Sequence, residues 1–141
     1  MRLCLLLAVL ILPWLIGTAE AGAWPRAKGR TFLATTGQID ASDETGLRRQ
    51  SFTLYAEYGA TERLTLGLDL GGDALRMTKT IAFARWPIGR PAQQVKIAVE
   101  LGLGQVSEVN ALRPGLSLGR GLTLWRRQGW AVFDGRVIVF G

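Results

Sequence analysis

The chain has no histidine and a single cysteine in 141 residues. Without imidazole there is no Ser-His or Cys-His nucleophile pair, no His-ligated zinc or copper and no imidazole pH switch. One cysteine cannot close an intramolecular disulfide or build a thiolate metal site. Helical periodicity is nearly absent. The 18 glycines carry no Gly-X-Y repeat, and no glycine cluster ends in the Gly-Lys-Ser/Thr of a phosphate loop. Basic residues are not interleaved with aromatics, so the net charge of +6 gives no nucleic-acid signature. We therefore expect no nucleic acid, cofactor or metal among the partners, and no enzyme activity. The length fits one domain.

What is present begins with an export signal. Arg2 is a positive start, residues 3–16 are apolar apart from Pro13, and Ala19-Glu20-Ala21 offers small residues at a cleavage site. The run is short for a membrane span and lacks a basic stop-transfer flank. Residues 1–21 thus read as a cleaved signal peptide and 22–141 as one β domain. Cleavage removes Cys4 and, with Arg2 and Glu20, leaves the net charge unchanged.

Period-two alternation dominates the remainder. In 63–71, Leu64, Leu66, Leu68 and Leu70 oppose Arg63, Thr65, Gly67, Asp69 and Gly71. In 95–104, Val95, Ile97, Val99, Leu101 and Leu103 oppose Lys96, Ala98, Glu100, Gly102 and Gly104. In 51–60, Phe52, Leu54, Ala56, Tyr58 and Ala60 oppose Ser51, Thr53, Tyr55, Glu57 and Gly59. Such strands set one face against something apolar. Weaker strands are read at 30–38, 77–86, 112–119 and 130–140, with Pro114 marking a strand end, an edge or a bulge. The expectation is an all-β, antiparallel up-and-down meander of seven strands, or eight if 122–126 counts.

Two solvents fit that pattern. A secreted, lipocalin-like soluble barrel turns its leucines inward around an apolar ligand, whereas an outer-membrane barrel turns them out to lipid. Strands of nine to ten residues suit a tilted membrane crossing. The glycine-rich opposite face suits a crowded interior. Trp24, Tyr58, Trp86, Trp125 and Trp130 all fall at one end of the meander, as an interfacial aromatic belt would. In 77–86, Lys79 and Arg85 share a side with Ile81 and Phe83. Turning Thr78, Thr80, Ala82, Ala84 and Trp86 to lipid avoids charges at mid-depth. We favour the bacterial outer membrane, with its lipid as partner, over the periplasm or a secreted form.

The run Leu54-Tyr55-Ala56-Glu57-Tyr58-Gly59-Ala60-Thr61-Glu62-Arg63-Leu64-Thr65-Leu66-Gly67 resembles a hairpin recurring in proteobacterial, porin-like outer-membrane β-barrels. Ala23-Trp24-Pro25 similarly places a tryptophan early after the signal. The resemblance covers about fourteen residues strongly; it implies a location and a fold, a structural or passive pore-type role, and no catalytic residues. Such barrels have an even strand number and a terminal aromatic, whereas this chain stops at Phe140-Gly141 after about seven strands. The expected barrel is thus incomplete at its C-terminus, or completed by strands from another copy, unless the short 122–126 strand closes it.

The polar face carries Glu57, Asp69, Glu100 and Asp134 against Arg63, Lys96, Arg113 and Arg136. These are the expected lumen-facing charges. They read as a solute-selecting constriction or, as we favour, an ion-paired filling of a narrow interior. A glycosidase pair is disfavoured because the bases keep both carboxylates ionised. Gly115-Leu116-Ser117-Leu118-Gly119 matches a nucleophile elbow by letter, but no helix follows it. The 38–50 loop lacks EF-hand spacing.

Overall fold

The computed structural model describes residues 23–41, 48–90, 92–125 and 127–141. The expected signal peptide lies outside them, as do Asp43 and Glu44 of the 38–50 loop. The chain is all-β, a curled half-barrel of antiparallel up-and-down strands. The strands are β1 (Thr31–Ala41), β2 (Arg48–Gly59), β3 (Thr65–Asp73), β4 (Met77–Ile88), β5 (Val95–Val106), β6 (Val109–Leu124), β7 (Arg127–Arg136) and the short β8 (Val139–Phe140). The order β1-β2-β3-β4-β5-β6-β7 follows the sequence, with β8 also on β6. Among the described residues no ladder joins β1 to β7. An odd count also leaves these two end strands running the same way.

The alternation read from the sequence is the alternation of the sheet. Leu66, Leu68, Leu101, Leu103, Leu112 and Leu116 stand exposed on the convex face, whereas Glu57, Ile81, Phe83, Arg85, Glu100, Arg113 and Ser117 are buried on the concave one. Register explains how bulky groups fit there. Phe83 of β4 stands between Gly67 of β3 and Gly102 of β5, and Gly102 is followed by Arg113 of β6. Ile81 likewise lies between Asp69 and Gly104. A methyl group at Gly67 would sit 2.2 Å from Phe83 Cζ, and one at Gly102 2.8 Å from Ile81 Cγ2. The glycine rows are thus the room into which β4 projects its side chains, as the tapered interior of a small barrel requires.

Each expected strand has at least one end displaced by two or more residues, and two features differ in kind from the sequence reading. Residues 122–124 continue β6 rather than forming a further strand. Pro114 neither ends β6 nor leaves it at an edge, because Leu101 pairs with it from β5. Its effect falls on the other neighbour. Val137 N–H donates to Pro114 O at 3.1 Å, but the reciprocal bond needs an N–H that proline lacks. The partner strand is broken there into β7 and β8, on either side of 137–138, while the register stays constant from Gly115↔Arg136 to Ala111↔Phe140.

Candidate functional site: the charged concave face

Burial on the concave face places unlike charges where only one another can satisfy them. Arg85, 2% exposed, is the hub. Its Nη1 lies 2.7 Å from Glu57 Oε1, and its Nη2 lies 2.6 Å from Glu100 Oε2. The same Nη2 donates to Tyr55 Oη at 2.8 Å, and Tyr55 Oη donates to Glu57 Oε1 at 2.8 Å. Strand pairing brings Arg85 beside Glu100 directly; curvature brings Glu57 within reach from two strands away.

A second lobe centres on Asp69, which takes Lys79 Nζ at 2.6 Å and Arg113 Nη1. Glu100 joins the lobes, with Arg113 Nη2 at 2.9 Å and Arg136 Nε at 3.1 Å from its Oε1. The 2.9 Å contact is an ion pair without hydrogen-bond alignment, so Arg113 Nη2 and Nε make no hydrogen bond among the described residues. Phe83 forms the floor, stacked on Tyr55 at 5.4 Å, with Arg85 and Arg113 over its ring. Three carboxylates (Glu57, Asp69, Glu100) meet five bases (Arg26, Lys79, Arg85, Arg113, Arg136), an excess of two positive charges. Every carboxylate in the network is ion-paired. No group of three or more His, Cys, Asp or Glu side chains is placed to hold a metal among the described residues.

Residues 23–30 run as a strap across the end of the concave face where the β2–β3, β4–β5 and β6–β7 turns lie. Arg26 Nε reaches Glu57 Oε2 at 2.5 Å, and Arg26 N–H donates to Thr65 Oγ1 at 3.0 Å. At the far side Trp24 lies over Gly119 and meets Trp130 edge-on at 6.4 Å. Gly59 admits the strap, since a Cβ there would be 2.2 Å from Ala27 O.

Of the charges expected in the lumen, Glu57, Asp69, Glu100, Arg113 and Arg136 come together in this network. Asp134 stands apart, accepting a hydrogen bond from Ser117 Oγ. Lys96 is half-buried near the strap, opposite Gly119. Arg63 does not face the lumen, because β3 begins only at Thr65; it lies exposed on the β2–β3 turn and donates to Pro87 O at 3.3 Å. Among the aromatics, Tyr58 and Trp86 stand in the convex row, Trp125 projects from the β6–β7 turn, and Trp24 and Trp130 pack together on the concave side. Arg85, Lys79, Tyr55 and Arg26 were missed as site residues. The side shared by Lys79, Ile81, Phe83 and Arg85 was the available signal for two of them.

Compared with known proteins, the chain matches no protein-family model, no curated protein and no solved structure.

Proposed function

We propose that this chain is a non-enzymatic bacterial outer-membrane β-barrel protein, exported through a cleaved signal peptide, with an interior filled by ion pairs. The observation that carries the reading is the inverted polarity of the sheet. Arginines and glutamates are among its buried side chains, while leucines on neighbouring positions are exposed. Water would reward the opposite arrangement; hydrocarbon rewards this one. Tyr58 and Trp86 in the convex row suit the water–lipid interface, and the resemblance of the 54–67 hairpin to porin-like barrels supports the same location. A lipocalin-like carrier wants an apolar cavity, and the concave face offers charge and a phenol instead.

In hydrocarbon the outer edges of β1 and β7 must find hydrogen-bond partners. Because these strands run the same way, an odd number of added strands closes the ring with antiparallel seams throughout. Lipid is the partner this reading requires, and strands from another copy are one source of the closing strands. The protein should remain with the detergent-extracted envelope and change gel mobility on boiling; release in soluble form by osmotic shock would favour the secreted carrier. In planar bilayers the filled interior should be electrically silent, and a steady conductance would replace it with a passive pore.

A further inference from the structure

A partly enclosed cavity outside the ion-pair network lies at the strap end, with a volume of about 230 Å³. Its walls are apolar, with Trp24, Ile88 and Ile97 among them, and its rim is basic, with Arg63, Arg90 and Lys96. Glu62 is the rim's carboxylate, outnumbered by Arg63 and Arg90. The rim is built rather than incidental. Arg63 donates to Pro87 O at 3.3 Å, tying the β2–β3 turn to the end of β4. Gly89 then turns the β4–β5 loop with φ +92°, and Gln93 N–H closes it on Arg90 O at 3.1 Å. No described acidic side chain pairs with the guanidinium of either Arg63 or Arg90.

We infer that this cavity receives the phosphate-bearing end of an anionic lipid. A phosphate meets arginine in planar, multiply hydrogen-bonded geometry, while the Trp24 and Ile97 walls accept the carbons next to it. The volume is small for a drug-sized ligand but suits a headgroup and its first carbons. Tyr58 and Trp86 stand at the same end of the sheet, the level at which headgroups lie on the envelope reading. The inference takes its lipid source from that reading, yet binding in micelles is measured independently of where the protein resides.

The test uses the full mature chain in non-ionic detergent micelles, titrated calorimetrically with dihexanoyl phosphatidic acid, dihexanoyl phosphatidylcholine or inorganic phosphate. Saturable binding of phosphatidic acid is expected, at least tenfold tighter than either of the others. The double variant R63Q/R90Q should weaken it at least tenfold. Arg76→Gln, at the opposite end of the sheet, should leave it unchanged. Both rim arginines are exposed, and retained heat-modifiable mobility will show that the double variant still folds. Three results would each overturn the inference: phosphate binding as tightly as phosphatidic acid, phosphatidylcholine doing so, or Arg76→Gln weakening binding as much as the double variant. Absence of binding would do the same.

Discussion

On strand β4, neighbouring residues meet opposite surroundings. Ile81, Phe83 and Arg85 are buried on the concave side, while Ala82 and Trp86 are exposed on the other. The concave side depends on direction: Arg85 works because two carboxylates and a phenol lie within 2.6–2.8 Å of its two terminal nitrogens. The convex side depends on area alone, since a row of leucines has no preferred partner. One face should therefore be intolerant of any single loss and the other tolerant of everything except charge.

The largest effect is expected where direction matters most. Arg85→Ala strands Glu57 and Glu100, 3% and 4% exposed, without their shared counter-ion, which costs about 3–5 kcal/mol by analogy with other broken buried pairs. Urea unfolding of protein refolded into lipid vesicles measures it. A loss below about 1 kcal/mol would mean that water or the other bases replace the guanidinium. Next comes charge on the convex face. On the envelope reading, Leu68→Arg costs about 2–4 kcal/mol near mid-depth, whereas in a water-exposed sheet the same change is close to neutral. Leu68→Ala at the same site separates loss of area from gain of charge.

The third test asks whether glycine marks the concave face for a steric reason. Gly67→Ala places a methyl against Phe83 Cζ and 2.6 Å from Ala56 O, so Phe83 must move or the ladder must open, at about 1–3 kcal/mol. At Gly37, on exposed β1, a Cβ would meet nothing within 4 Å, and Gly37→Ala should cost nothing measurable. Equal effects at the two sites would assign the glycines to backbone freedom rather than to packing.

Much of this division was legible in the sequence because the side-chain period of a strand is two, and one face of each clear strand was uniformly apolar. Even in β4, where Lys79 and Arg85 blur the pattern, the cost of charge in lipid pointed to the orientation the structure has. The ion-pair partners were less legible. Arg113 and Asp69 are 44 residues apart, and their meeting depends on register and curvature across three strand pairings, which composition does not encode. Arg63 was misplaced because alternation continued on paper into a turn that had already left the sheet. The β5–β6 turn falls between the strands expected at 95–104 and 112–119, but its two-residue tightness was not legible: Ser107 and Glu108 both adopt positive φ, +51° and +69°, without the Asn-Gly pair that usually announces such a hairpin.

The smallest expected effect concerns neither face but the ladder between them. Pro114→Val restores an N–H opposite Val137, whose own N–H already donates to residue 114, so the missing half of that pair can form. The new bond contributes about 0.5–1.5 kcal/mol, while loss of proline's restriction on the unfolded chain removes about 0.4–1 kcal/mol. Global stability should therefore hardly move. Local opening should. β7 and β8 would become one strand, and amide exchange at Val137, whose N–H already faces residue 114, should slow by about tenfold, equivalent to roughly 1.4 kcal/mol of local protection. Unchanged exchange there would assign the break to the free outer edge of β7 and β8 instead of to the proline, and addition of the missing neighbour strand, not the substitution, would then be what heals it.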